Sequence, residues 1–169
     1  MKHARIRQMA FFFGGVFAPR LTAFAPTPLS ALEKRRIEQQ VGLGQRVALD
    51  DWQRPTLPAP PPAMLNLLDD LRPTVRLMVL LDWPLAWASP TLAALGDVEI
   101  VDLANLGAFD SATAQFIALL AHGLLRARHS LTVEPITQRA LAALDCGLDV
   151  AIYEDEPRLR RDLGLWGLV

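Results

Sequence analysis

The sequence holds a single cysteine, Cys146, so no disulfide can close within the chain. A reducing compartment, the cytoplasm, is the expected setting. Long apolar runs are missing too: the longest, Met9–Pro19, is about half of the ~20 residues a spanning helix needs. No G-x-x-x-x-G-K-S/T run and no G-x-S-x-G elbow occur, and Gly42-Leu43-Gly44 lacks the third glycine of a dinucleotide fingerprint. His122, His129 and Cys146 are too dispersed for the short ligand spacings of a metal site. Without a nucleophile–base pair or ligand cluster, the expectation is a chain that is not an enzyme and carries no cofactor or metal.

What is present is a globular composition, with 51% apolar and 21% charged residues over a one-domain length of 169. The net charge of −1 hides an uneven split. Residues 1–62 hold nine Lys and Arg against four Asp and Glu, and the remainder holds eight against fourteen. A basic front suits an anionic partner, but targeting or linker composition explains it equally. No nucleic-acid partner is expected. Lys2, Arg5 and Arg7 before the run Met9–Ala18, and Thr22-Ala23-Phe24-Ala25 after it, outline a secretory signal. Gly14-Gly15, Pro19 and Arg20 break that outline, so a basic, apolar tail, or upstream sequence read in from an early start codon, is at least as good a reading. Ser30 and Glu33 form a capping box for a short helix that stops at Gly42. Pro55, Pro58, Pro60, Pro61 and Pro62 read as a stiff linker, and Ala63–Leu71 as one more short helix. Residues 1–62 are thus expected to be an extension and linker, 63–153 the domain, and 154–169 a tail.

From Thr74 the pattern alternates. Val75–Leu81, Val98–Leu103, Ser130–Val133 and Val150–Tyr153 read as strands, buried and apolar. Ser89-Pro90 opens a helix over Thr91–Leu95. Ser111–Arg128 is the strongest helix, with Phe116, Ile117, Leu120 and Leu124 on one face and Gln115 off it. Thr137–Cys146 is another, with Ala140, Leu141 and Leu144 inward. This order is that of an α/β domain: a small mixed, largely parallel sheet of four to five strands covered by helices. Asp82 and Asp102 end strands and read as turn caps.

Asp110-Ser111 sits where a loop becomes the N-terminus of the strongest helix. An N-cap is the simple reading; a phosphoryl group there would also meet free backbone N–H groups and the helix dipole. Leu80-Leu81-Asp82, Val101-Asp102-Leu103, Phe109-Asp110-Ser111 and Cys146-Gly147-Leu148 together resemble a STAS domain over roughly residues 74–153. The resemblance implies a non-enzymatic protein-interaction domain of the anti-sigma-factor-antagonist type. Ser111 would be the phosphoswitch, Asp110 would precede it, and Thr113 stands where the family has glycine. The implied partner is an anti-sigma serine kinase. An ABC permease or ATPase of a lipid-transport system is the alternative, and an uncharacterised small enzyme a further one. The family's first strand would come from Gln45–Leu49 or be missing.

Overall fold

The computed structural model describes residues 6–20, 57–83, 85–107 and 109–169. The helix expected between Ser30 and Gly42, and the candidate strand Gln45–Leu49, lie outside them. Five strands form one sheet: β1 (Gln8–Phe12), β2 (Arg76–Leu81), β3 (Glu99–Asp102), β4 (Ser130–Glu134) and β5 (Asp149–Ile152). Their order is β3-β2-β1-β4-β5, and every pairing is parallel rather than mixed. Five α-helices accompany them among the described residues: α1 (Pro62–Leu71), α2 (Leu85–Ala94), α3 (Ala112–Ala121), α4 (Thr137–Asp145) and α5 (Glu156–Leu165). The α/β class holds, as do four of the strands.

The fifth strand is a correction. The apolar run read as a tail supplies β1, the centre of the sheet, paired with β2 on one side and β4 on the other. A parallel strand covered on both faces is apolar on both, so it shows no alternation. Met9, Phe11 and Phe13 pack with Leu77, Val79 and Val133 beneath α1, α2 and α5. Ala10 and Phe12 pack on the opposite face with Met78, Leu80 and the α3 and α4 residues Phe116, Leu119 and Ala143. At the other end of β1, Gln8 donates to the Leu124 carbonyl and accepts from the Ser130 hydroxyl, fixing strand entry.

The helices also differ in detail. α2 starts at Leu85 and carries Pro90 within it. Ser89 is not its N-cap; its hydroxyl donates back to the Leu85 carbonyl at 2.7 Å. Ile117, Leu141 and Leu144, expected to be buried, are 56%, 55% and 52% exposed. Gln115, Phe116 and Leu119 face the core from α3, and Ala140, Ala142 and Ala143 from α4. Leu120 is half-buried. Residues 154–169, expected as a tail, form α5, capped by Asp155 and buried through Leu159 and Leu163. Arg160 joins α5 to Asp70 of α1 at 2.7 Å. No helix among the described residues is long and apolar enough to cross a membrane.

Candidate active site

From β1 the chain builds β2 and β3 on one side of the sheet, then crosses to build β4 and β5 on the other. Such a reversal opens a crevice outside the carboxyl ends of the strands, where open α/β sheets bind ligands. At this end of the sheet β1 finishes at Phe12 and runs into Phe13-Gly14-Gly15, with Asp82 after β2 on one side and Glu134, the last residue of β4, and Pro135 on the other. The two glycines are there because the strand ends crowd them. A Cβ on Gly14 would lie 2.5 Å from Asp82 Oδ2, and one on Gly15 2.8 Å from Pro135. Gly15 also has φ of +95°, a region that suits glycine.

The Gly14 N–H donates to Asp82 Oδ1 at 2.9 Å, tying the ends of β1 and β2 together. Burial pushes the Asp82 carboxyl up to about 6, against the opposing pull of that N–H and of the Arg139 charge. Glu134 is fully buried. Burial raises its pKa as well, the guanidinium of Arg139 lowers it, and the charge of Asp82 raises it further. Glu134 thus feels Asp82, and both acids feel one arginine.

Arg139 enters from the first turn of α4. Its Nε donates to Glu134 Oε2 and its Nη1 to Gln115 Oε1, each at 2.8 Å. The guanidinium carbon lies 3.8 Å from the centre of the Phe12 ring and 5.2 Å from that of Phe116. Face-on aromatic contact of this kind favours a desolvated cation. Two buried atoms are left without a hydrogen-bond partner, Arg139 Nη2 and Glu134 Oε1. A guanidinium with a spare N–H can donate to an oxyanion that reaches it, and a carboxyl raised to about 6 can transfer protons.

Of the residues singled out from sequence, Ser111 is the N-cap of α3, its hydroxyl accepting from the Ala114 N–H at 3.1 Å. Asp110, Ser111 and Thr113 are all exposed. Cys146 is half-buried, with Sγ 4.0 Å from the Thr113 carbonyl. Asp102 caps a turn as expected, accepting from the Ala104 N–H. Asp82 does not; its partner is Gly14. Glu134, Arg139 and the Gly14-Gly15 pair had no place in the expected site. A weak signal was present: an acid-Pro step ending a strand, with an arginine five positions on.

No family model matches the chain, and no curated protein matches it. Solved structures do. A protein from Porphyromonas gingivalis described as a predicted HAD-like family hydrolase superposes with a TM-score of 0.60 at 16% identity, over 94% of this chain and 98% of its own. A HAD family enzyme from Bacteroides thetaiotaomicron gives 0.63 at 12% identity, over 88% and 94%. An aspartate-to-alanine variant of the latter was solved with magnesium and inorganic phosphate. A hydrolase from Pseudomonas syringae gives 0.58 at 14%, over 94% and 98%. At these identities the likeness establishes the fold, which is HAD-like.

This overturns the STAS assignment. With it fall the anti-sigma-antagonist reading and the expectation of no enzyme, because two of the proteins that share this fold are described as hydrolases. The anti-sigma kinase and the ABC permease rested on that resemblance alone. Of the short motifs that carried it, Leu80-Leu81-Asp82 and Val101-Asp102-Leu103 are strand ends, Phe109-Asp110-Ser111 leads into α3 and Cys146-Gly147-Leu148 follows α4, as in many parallel α/β sheets.

Proposed function

We propose that the chain is a hydrolase of the HAD-like fold that acts on phosphate esters at the crevice between Asp82, Glu134 and Arg139. The observation that carries this reading is Asp82, held by the Gly14 N–H at the switch point and pushed up to about 6. A carboxyl so poised is half-protonated at about pH 6, and acid–base catalysis is most effective when the group titrates near the working pH. The phosphate-bound Bacteroides thetaiotaomicron variant supports the choice of substrate class.

The end of β1 offers Phe12, Phe13 and Gly14, none of them a nucleophile, so water attacks phosphorus directly. As the bond to the leaving oxygen breaks, protonated Asp82 gives that oxygen its proton, and regains one from the attacking water. Arg139 Nη2 holds a phosphoryl oxygen through the transfer. Magnesium, found in that neighbour, does not fit these side chains. Among the described residues no three His, Cys, Asp or Glu groups converge. One oxygen of Asp82 already accepts from Gly14 and one of Glu134 from Arg139, while octahedral magnesium wants free oxygen donors.

The test is phosphate release from a panel of phosphomonoesters. The wild type is expected to turn over at least one, and Asp82→Asn to lose about 10²–10⁴-fold. If no ester is hydrolysed, or the variant is as active as wild type, the reading fails.

A further inference from the structure

We infer that the guanidinium of Arg139 is the resident cation of this crevice, so that the site receives a phosphoryl group without a divalent metal. The inference rests on the proposed site but not on its turnover.

Glu134 is fully buried and Asp82 half-buried, and a buried carboxylate without positive charge beside it is costly. In this chain the charge comes from the polypeptide. Arg139 is bonded to Glu134 and to Gln115, and lies against the face of Phe12. The side chain of Arg139 is only 12% exposed and that of Glu134 is not exposed at all. The position is therefore fixed by four neighbours before any ligand arrives, the fourth being Phe116. A metal entering here would meet a guanidinium already bonded to one of its two candidate carboxylates, and would be repelled by it. An oxyanion would instead meet the buried Nη2 that no side chain satisfies. Phe12 contributes by its type: a carboxylate at the end of β1 would add a third acid and favour a cation, whereas an aromatic face favours the arginine.

The experiment uses inorganic phosphate and manganese(II) as probes on the full chain. Thermal melts are taken with phosphate, in EDTA and again in millimolar magnesium, and manganese binding is read from water-proton relaxation. The expected result is an upward shift of the melting midpoint with phosphate that is the same in both solutions, with no manganese bound to the wild type. Arg139→Gln is expected to lose the phosphate shift and to gain manganese binding, because Glu134 then loses its guanidinium partner and the charge that repels a metal is gone. Arg139→Lys, which keeps the charge, should stay manganese-free even if the glutamine variant does not fold. A phosphate shift seen only with magnesium, no phosphate shift in EDTA, or manganese bound to the wild type would each overturn the inference. Should phosphate bind in EDTA while no ester is hydrolysed, the inference stands and the hydrolase reading falls. Should hydrolysis occur only with magnesium, the reverse holds.

Discussion

Asp82 holds its proton more tightly in the folded chain than a free aspartate does, because burial disfavours the carboxylate more than Gly14 and Arg139 favour it. Between 3.8 and about 6 the folded state therefore binds the extra proton, and stability falls as pH rises. The contribution is fully present below the unfolded value and is lost as pH passes through about 6. Glu134, also raised, acts with the same sign. Wild-type melting midpoints are thus expected to drop from about pH 4 to about pH 7, and those of Asp82→Asn to drop less. Equal slopes would assign the effect to another group. Gly14→Ala tests the same contact from the opposite strand. Its methyl would meet the Asp82 carboxylate, a tip that can swing away, so the fold should survive. Carbon-detected NMR titration should then find Asp82 nearer the ordinary carboxyl range, having lost its buried place. An unmoved titration would show that Gly14 is not needed for it. Only part of this site was legible in the sequence. Asp82 stands out as a strand-end acid, but its partner is 68 residues earlier in the chain, and Arg139 looks like a solvated helix residue until α4 is laid over Phe12.

At the scale of elements, the strands from β2 onward were readable because each is a short apolar run closed by Asp, Glu or Pro. Helix faces were not. α3 reads Ala-Thr-Ala-Gln-Phe-Ile-Ala-Leu-Leu-Ala, apolar almost all round, so periodicity gives no unique inward stripe. In the sequence Gln115 marks the outside, yet it turns inward because Arg139 supplies its hydrogen bond. The inward face is set one residue away, through Phe116 and Leu119, leaving Ile117 exposed. Phe116→Ala should cost about 3–5 kcal/mol, and half-buried Leu120→Ala clearly less. Urea titrations that reversed this order would refute the helix orientation. The start of α3 is a separate case. Ser111 satisfies the Ala114 N–H, so Ser111→Ala should cost about 0.5–2 kcal/mol in the same titrations. Loss of nothing measurable would mean that Asp110 or water replaces the cap.

For the whole molecule, β1 decides whether there is one sheet or two fragments. It bonds to β2 through Gln8–Phe12 and to β4 through Gln8–Phe11, and among the described residues no other strand joins those halves. Phe11 and Phe13 fill one layer of the core and Phe12 the other, all three buried. Sequence reading missed this for a physical reason: a fully buried parallel strand and the apolar segment of a targeting signal are both continuous hydrophobic runs. The adjacent glycines, which spoil a signal, are what turning β1 past Asp82 and Pro135 demands. A cut after Ala25 would therefore remove the strand that unites the sheet. Deleting residues 1–20 should abolish the cooperative thermal transition, since β2-β3 and β4-β5 alone are two-stranded pairs, marginal in water at best. Phe11→Ala is the milder version, expected to cost about 3–5 kcal/mol while leaving a cooperative melt. Circular dichroism of the truncated chain decides the matter. A sharp transition near the wild-type midpoint would mean that the remaining strands close into a sheet without β1, and that residues 8–12 are an accessory to the fold and not its centre.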